Sequence, residues 1–349
     1  MKKESYKKVK TKYEMISIGD PTIDTFLFIH DIEIKRIKGA QKAIISWGDK
    51  LPVDEFHRTV AGNAANNAVG SSRLGLKTAY YAVVGEDSGG REISHKMQKE
   101  KVSGEYIVMD EKHPTNASTV LSYQGERTIF VYHEHRKFKL PKFAPSKWVY
   151  LTSMGTGFEK IYKDLADYLD GTGSKLAFNP GTFQLRKGPK FNKSMLERTN
   201  VLSLNKEEAQ SWVGDFDDPE ELCKRLMKLG PKAIVLTDGR KGAYSYSSEG
   251  YYYIPEYPGL QRIEATGAGD AFTTGYVAAL SYGLPHSEAL KWGTVNAGYV
   301  VMEIGPQAGL QTKAQILAKL AKKKKHQAVV MDTAKVKSQI AAMVGKMKD

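Results

Sequence analysis

The sequence predicts an α/β protein with a mostly parallel central sheet covered by helices. Short β-rich runs alternate with helical stretches, which is the pattern of strands joined by helical crossovers. The runs predicted as buried strands are residues 15–19, 78–84, 148–151, 176–179, 201–203 and 233–236. The predicted helices cover residues 62–74, 159–169, 219–229 and 287–302. Because no internal repeat or low-complexity linker interrupts this pattern, we expect one continuous domain over residues 15–312.

Two segments, residues 26–59 and 115–137, break this alternation. Both contain alternating Ile, Val, Tyr and Phe, and Gly125-Glu126 supplies a turn in the second. This period-two pattern predicts antiparallel strands, and neither segment fits a βαβ unit. One interpretation is that the segments form an added edge of the main sheet.

The net charge of +13 at pH 7 is concentrated at the two ends of the chain. Residues 1–14 contain six Lys and two Glu, and residues 313–349 contain ten Lys and two Asp, so we treat both ends as basic extensions of a nearly neutral body. A nucleic-acid groove built into the fold would place the excess charge on one face of the body. This distribution argues against nucleic acid as a partner. The four lysines at 322–325 are interpreted as a solvated helix end.

Cysteine content and apolar runs bear on where the protein works. The single cysteine, Cys223, excludes an internal disulfide and fits a reducing cytosol. No apolar stretch follows the basic start, so no secretory signal is expected, and no segment approaches the length needed to span a bilayer. We therefore expect a cytoplasmic protein with no membrane partner.

Residues 263–280 contain a small-residue turn that runs into an apolar helix, with one carboxylate, Asp270, at its mouth. Gly267, Ala268 and Gly269 leave room for an anion to approach the backbone, where free N–H groups and the helix dipole would hold it. Beside a phosphate, a carboxylate makes sense mainly as a base that takes a proton from an attacking hydroxyl. The pattern indicates phosphoryl transfer, and the alternative is an ordinary glycine turn capped by Asp270. A P-loop and the standard dinucleotide fingerprint are both absent from the sequence.

Residues 266–272 resemble the second signature of the ribokinase-like carbohydrate kinase family, and residues 61–70 resemble its first. Smaller landmarks of the same family lie between them at residues 84–90, 205–208 and 237–242, so the resemblance spans residues 15–310. It implies a three-layer α/β/α sandwich. It also implies that residues 26–59 and 115–137 pair into a small antiparallel sheet, which forms a lid over the sugar and often a homodimer contact.

The resemblance implies a reaction that uses ATP and Mg²⁺. Asp270 is then the base, and the amides of residues 267–270 form the anion cradle. Glu208 matches the family's acidic residue near the metal, which it would hold through water because Mg²⁺ dehydrates reluctantly. Without the resemblance, Glu208 would be an exposed first-turn residue of a helix. The residues that match the nucleotide side are Asn205, Thr237, Gly239 and Gly242, with Asn296 as a further candidate.

A polyol acceptor needs hydrogen-bonding side chains on rigid elements. The family places an Asp at the position of Asp24 to accept from sugar hydroxyls, although Asp24 alone would also fit a turn. Gly62 and Asn66 match sugar-contacting positions of the first signature. Asn63 stands where ribokinases proper usually carry Lys.

Some positions depart from the family pattern. Glu264 and Ala265 occupy positions where many members have Asp and Thr, and in potassium-activated members that Asp helps to hold the ion. Dependence on a monovalent cation is therefore uncertain. Thr152 lies near where ribokinases proper present a Glu, so ribose is not assumed as the substrate.

The sequence thus predicts an ATP-dependent kinase that phosphorylates a primary hydroxyl of a small sugar, as ribokinase and fructokinase do. A nucleoside kinase of the adenosine type is the alternative within the enzyme class, because a nucleoside also presents a ribose 5′-hydroxyl. A catalytically silent binding or regulatory protein that acts through its basic ends is the alternative of another class. The intact cradle and Asp270 argue against silence.

Overall fold

The computed structural model describes residues 11–29, 32–37, 40–46, 48–123 and 126–331. The turn predicted at Gly125 and most of the basic ends, residues 1–10 and 332–349, lie outside these residues. The described strands are β1 Tyr13–Ile18, β2 Thr22–Phe28, β3 Glu33–Ile37, β4 Ala40–Ile44, β5 Glu55–Ala61, β6 Thr78–Gly85, β7 Ser103–Asp110, β8 Ala117–Tyr123, β9 Glu126–Tyr132, β10 Ser146–Leu151, β11 Lys175–Phe178, β12 Thr199–Asn205, β13 Ala233–Thr237, β14 Ala243–Ser247, β15 Gly250–Ile254 and β16 Val329–Val330. The helices are α1 Asn63–Arg73, α2 Ser88–Lys99, α3 Ile161–Thr172, α4 Thr182–Phe191, α5 Lys193–Leu196, α6 Lys206–Val213, α7 Pro219–Met227, α8 Ala268–Ser281, α9 His286–Val300 and α10 Lys313–Lys322.

The central sheet has the strand order β16-β15-β14-β13-β12-β11-β10-β1-β6-β7. The strands from β13 to β7 pair in parallel, and β14, β15 and β16 extend one edge antiparallel. Side chains of β1 alternate between two cores, because Ile16 packs in the cluster that contains Leu165 of α3 and Met15 packs in the cluster that contains Val277 of α8. Helices therefore cover both faces of the sheet, as buried parallel strands require. The predicted α/β/α sandwich and its predicted strands and helices are confirmed, with ends shifted by a few residues.

A second sheet contains the strands β5-β2-β8-β9 and shares no strand with the central sheet in the described ranges. Its outer pairs, β2–β5 and β8–β9, are antiparallel, whereas its central pair, β2–β8, is parallel. A parallel pair needs a long crossover, and here the chain between β2 and β8 passes through α1 and α2. The two inserted segments thus form the small sheet that the resemblance implies, and the interpretation of an added main-sheet edge is wrong. Strands β3 and β4 form a hairpin of their own.

The packed body extends beyond the boundaries predicted at residues 15 and 312. Tyr13 is buried in β1, Ile316 of α10 is fully buried, and β16 pairs with β15. The segment that begins at residue 313 was predicted as a basic extension, but α10 packs on the body because its apolar residue Ile316 is buried there. Lysines 322–325 are exposed at the end of α10, as predicted. Within the part of the chain described, no helix is long and apolar enough to cross a membrane.

Candidate active site

The first turn of α8 has the geometry that the predicted anion cradle requires. Gly267 is the N-cap residue and has φ 81° and ψ 0°, in the left-handed region that favours glycine. A Cβ at this position would lie 2.4 Å from Cβ of Pro306, so a side chain is excluded by space as well as by backbone conformation. The N–H of Ala268 donates to the carbonyl of Ala265 at 3.2 Å. The N–H groups of Gly269 and Asp270 are those that the helix leaves for an anion, so the contribution of Ala268 is its lack of bulk.

Asp270 lies in the first turn of α8 and is only 8% exposed. Its Oδ2 accepts a hydrogen bond of 2.8 Å from Nδ2 of Asn66 on α1. Burial raises the pKa of Asp270 to about 7; the Asn66 hydrogen bond opposes this rise and the charge of Glu208 adds to it. A carboxylate with a pKa near neutral pH is suited to accept a proton and release it again.

Asn66 contacts the predicted base instead of facing the open cleft. Besides its bond to Asp270, its Oδ1 accepts 3.0 Å from Nε2 of Gln307. Both ends of its amide thus have partners within the protein, and a direct contact of Asn66 with the sugar remains a prediction. Asn63, one turn earlier on α1, does line the cleft.

The cleft in front of Asp270 has a volume of ≈ 330 Å³. It lies at the carboxyl ends of β11, β12 and β13, where open α/β sheets bind their ligands. Its walls bring together eight predicted site residues from the cradle, α1, the junction of β12 and α6, and β13. The lining residues are Asn63, Arg127, Asn179, Ser203, Leu204, Asn205, Glu208, Thr237, Ala265, Gly267, Ala268, Gly269, Asp270 and Thr273.

Asn205 and Glu208 cap the N-terminus of α6. The Asn205 side chain accepts 2.8 Å from the N–H of Glu208, and Oε2 of Glu208 accepts 2.9 Å from the N–H of Asn205. Burial raises the pKa of Glu208; the Asn205 N–H opposes the rise and the charge of Glu207 adds to it. Glu208 is thus a half-buried residue of the cleft rather than an exposed surface residue.

The other nucleotide-side predictions have mixed outcomes. Thr237 lines the cleft at the end of β13, whereas Gly239 and Gly242 are outside its lining and form the tight turn that follows. Gly242 has φ 97°, and a Cβ there would lie 2.2 Å from the carbonyl oxygen of Ile254, so packing explains this glycine. Asn296 is fully buried; it donates 2.7 Å to the carbonyl of Ala271 and accepts 3.0 Å from the N–H of Gln311. Its amide is used by the backbone, and nucleotide binding by Asn296 remains a prediction.

Asp24 lies on β2 in the small sheet, opposite Thr59 and Ser118. It is therefore a strand residue and not a turn residue. It is 6% exposed, and its Oδ1 is buried without a partner among the described residues. Burial raises the pKa of Asp24 to about 6; the hydroxyls of Thr22 and Ser118 oppose the rise and the charge of Glu264 adds to it.

Gly62 is the N-cap residue of α1, where the chain approaches the loop after β1. It has φ 101°, and a Cβ there would lie 2.6 Å from the carbonyl oxygen of Asp20. The glycine is required by this close approach, which holds the start of α1 next to the residues that precede β2. A direct sugar contact of Gly62 remains a prediction.

Arg127 is a cleft residue that the sequence analysis missed. It lies on β9 of the small sheet, its side chain is 32% exposed, and its Nη1 lies 3.5 Å from Oε1 of Glu264. Glu264 is buried, and its Oε1 also accepts from the N–H and the hydroxyl of Thr266 at 2.8 and 2.7 Å. A guanidinium is thereby carried from the small sheet to the edge of the anion cradle. In the sequence, the only indication that Arg127 belongs to the site is its position directly after the predicted turn at Gly125.

An anion cradle with a carboxylate base beside it is what a kinase needs in order to phosphorylate an alcohol. Comparison with known proteins agrees with this class: the chain belongs to the pfkB family of carbohydrate kinases, whose family model matches residues 32–313. The family resemblance drawn from the sequence is thus confirmed, and the protein is a phosphotransferase with an alcohol acceptor.

Individual relatives are sugar and nucleoside kinases. The fructokinase of Salmonella typhimurium is 27% identical over 254 residues, which cover 67% of this chain and 81% of the fructokinase. The ribokinase of Arabidopsis thaliana, solved with ribose and ATP, has a TM-score of 0.74 at 19% identity and covers 88% of this chain and 98% of its own. The nucleoside kinase of Methanocaldococcus jannaschii has a TM-score of 0.73 at 20% identity, with coverage of 89% and 99%. The fold is therefore that of ribokinase.

Proposed function

We propose that the protein transfers the γ-phosphoryl group of ATP to a primary hydroxyl of a small sugar, with Asp270 as the base. The observation that carries this proposal is the buried Asp270, with its pKa raised to about 7, in the first turn of a helix that presents free N–H groups to the same cleft. The acceptor hydroxyl gives its proton to Asp270 while its oxygen forms a bond to the γ-phosphorus. The bond from phosphorus to the bridging oxygen breaks, and ADP leaves with that electron pair.

The cradle stabilises the negative charge of the transferred group. The N–H groups of Gly269 and Asp270 are fixed before the reaction, so they need no reorganisation as charge develops on the phosphoryl oxygens. Arg127 lines the same cleft. We assign it to the phosphates because its Nη1 lies 3.5 Å from Oε1 of Glu264, which is longer than a charge-assisted hydrogen bond.

Glu208 fits the requirements of a magnesium ion bound with ATP. Mg²⁺ usually keeps several waters and takes one or two carboxylates plus substrate phosphates, and in the described part of the chain no group of three or more His, Cys, Asp or Glu is placed to enclose a metal. Oε2 of Glu208 is used by the helix cap, which leaves Oε1 for a water of the ion. When bound, Mg²⁺ would neutralise phosphate charge.

Phosphorylation of a panel of acceptors tests this function. ADP release is measured with ketoses, aldoses, sugar phosphates and nucleosides, and the product is identified by mass spectrometry. Asp270→Asn protein prepared in parallel excludes a contaminating kinase. Turnover with sugars and not with nucleosides supports the proposal, whereas a preference for nucleosides supports the adenosine-type alternative, which the likeness to a nucleoside kinase favours.

A binding protein without activity would behave differently. It would release no ADP with any acceptor, and its basic ends would bind nucleic acid tightly. Each neutralised phosphate releases counterions, so weak and unspecific binding disappears between roughly 50 and 200 mM salt. Binding that persists at the higher salt, together with no turnover, would replace the kinase proposal.

Asp24→Ala is expected to lower kcat/KM for the acceptor at least about tenfold and to leave KM for ATP nearly unchanged. The change removes a buried charged acceptor, and a hydrogen bond to a charged group contributes about 1.5 to 3 kcal/mol. Steady-state kinetics with each substrate varied in turn measure both constants. An equal loss on both substrates would indicate misfolding, and an unchanged acceptor KM would remove Asp24 from the acceptor site.

Arg127→Met is expected to lower kcat by about ten- to a hundredfold, because a charge-assisted hydrogen bond to the phosphates is lost. Arg58→Met is the matched control, since Arg58 also lies in the small sheet and pairs with Glu92 at 3.0 Å, outside the cleft. Rapid-quench measurement of the phosphoryl transfer step compares the two variants. Equal rates in both would place Arg127 outside the reaction.

We also propose that the small sheet forms a homodimer contact. Its outer surface exposes large apolar residues, among them Phe56 at 63% and Phe130 at 57%. Large exposed apolar patches commonly mark a protein interface. Sedimentation velocity of the full chain and of a Phe56→Ser, Phe130→Ser variant measures the association.

A further inference from the structure

Residues 305–307, between α9 and α10, touch three parts of the site at once. A Cβ on Gly305 would lie 3.3 Å from Cγ2 of Thr59 in the small sheet, and Pro306 packs directly on Gly267 of the cradle. Gln307 donates to Asn66, which holds the base. The sequence signatures include none of these three residues. Their common position suggests that they help to position the small sheet, the cradle and Asn66 relative to one another.

The direction of the hydrogen bonds follows from the charge of the base. An ionised Asp270 only accepts, so Asn66 turns its NH₂ group toward Oδ2 of Asp270 and its Oδ1 away from it. That oxygen then needs a donor, and Gln307 supplies it through Nε2 at 3.0 Å. Gln307 thereby stabilises the one orientation of the Asn66 amide in which the base receives an N–H.

The backbone of Gln307 is held by Arg73. Gln307 is 2% exposed, and its carbonyl oxygen accepts 2.8 Å from Nη1 of Arg73. Nη2 of Arg73 pairs with Oε1 of Glu100 at 2.7 Å. An ion pair that is itself half-buried thus anchors the backbone of Gln307, while the side chain reaches toward the active site.

We infer that Gln307 is a positioning residue for the base and acts through the orientation of the Asn66 amide. This inference rests on the proposed function of Asp270. The positioning by Gln307 affects the proton transfer step. The Asn66 N–H favours the ionised form of Asp270, and this is the form that accepts the proton.

Other charged or titratable groups also face Asp270. Glu208 on α6 raises its pKa, the hydroxyl of Tyr150 on β10 lies within its field, and Arg127 on β9 lines the same cleft. Glu264, before α8, is engaged by Arg127 and Thr266. None of these groups touches Gln307 in the described residues, so a change at Gln307 leaves their contacts in place.

Gln307→Glu tests the inference most directly. A carboxylate at 307 only accepts, so it would draw the NH₂ group of Asn66 to itself and turn Oδ1 toward Asp270. The base then loses its donor and faces an acceptor. We expect the acidic limb of the kcat/KM profile for the acceptor to move to higher pH by about one unit, which is a tenfold loss of rate below the limb. Activity above the limb should be retained.

Gln311→Glu is the matched control. Gln311 lies in the same segment, is 7% exposed, and donates its side-chain N–H to Gly309 instead of Asn66. The variant Gln311→Glu introduces the same charge four residues away. The inference is supported if the acidic limb of Gln311→Glu stays at the wild-type pH while that of Gln307→Glu shifts. An unshifted limb in folded Gln307→Glu, or an equal shift in both variants, would overturn it.

Two further measurements keep the test decisive. If Gln307→Glu shows no cooperative thermal transition, Gln307→Met takes its place, because it removes the donor without adding charge. In Gln307→Met the acidic limb should move in the same direction by a smaller amount, with KM for ATP unchanged. An unmoved limb contradicts the inference. If the wild-type protein phosphorylates no acceptor, the proposed function fails. The pKa of Asp270 is then followed by ¹³C-carboxyl NMR, with the resonance assigned from Asp270→Asn, and it should still rise in Gln307→Glu.

Discussion

Asp270→Asn is expected to lower turnover by about two to four orders of magnitude, which is the usual effect of losing a general base. The amide keeps the size and shape of the side chain but does not accept the hydroxyl proton. The contacts of the cradle with the phosphates come from the backbone of α8, so ATP affinity should be largely retained. Single-turnover kinetics measure the chemical step, and calorimetric titration measures ATP binding.

The pH dependence separates this effect from misfolding. In the wild type, Asp270 with a pKa of about 7 is protonated and inactive below that pH, so kcat/KM should rise through neutral pH. Because the folded-state pKa lies above the usual Asp value, ionisation of Asp270 costs stability as the pH rises toward about 7. Asp270→Asn removes this cost, so its melting temperature at pH 8 should be no lower than that of the wild type. A variant that keeps more than about a tenth of the wild-type rate would exclude Asp270 as the base.

The sequence was informative wherever a function is built from neighbouring residues. Gly267 and Asp270 lie within one turn of one helix, and the local pattern was sufficient to predict both the cradle and the carboxylate. Asp24 follows the first strand, and its role was implied by the family resemblance. What the local pattern left open was the conformation there, because β2 becomes a strand only by pairing with distant β5 and β8.

The long-range contacts of the site residues were not predicted from the sequence. Asn66 and Asn296 are both amides on helices near the site, and only the packing of α1 and α9 against α8 decides which backbone or side chain each amide meets. Arg127 and Gln307 reach the cleft and the base from segments far away in sequence. No spacing within one segment encodes such contacts. A single sequence therefore predicts the chemistry of this site better than the residues that position it.

Gly267→Ala should be the second most damaging single change, with a fall in kcat of about a hundred- to a thousandfold. Removing one donor from an oxyanion hole has an effect of this size, and here the whole first turn is displaced. The new Cβ would lie 2.4 Å from Cβ and 2.8 Å from Cα of Pro306, so one backbone segment has to move. The N–H groups of Gly269 and Asp270 move with it, away from the phosphates.

Gly283→Ala provides the control for backbone strain. Gly283 also has φ 81°, but no atom lies within 4 Å of the position a Cβ would take. Both variants therefore carry the cost of a left-handed alanine, about 1 to 2 kcal/mol, and only Gly267→Ala adds the collision with Pro306. We expect Gly283→Ala to lower the melting temperature and keep kcat, and Gly267→Ala to lose kcat even at temperatures where it is fully folded. If the two variants had the same kcat, the first turn of α8 would not be the phosphate cradle, because a displacement of its backbone would then leave the reaction unaffected.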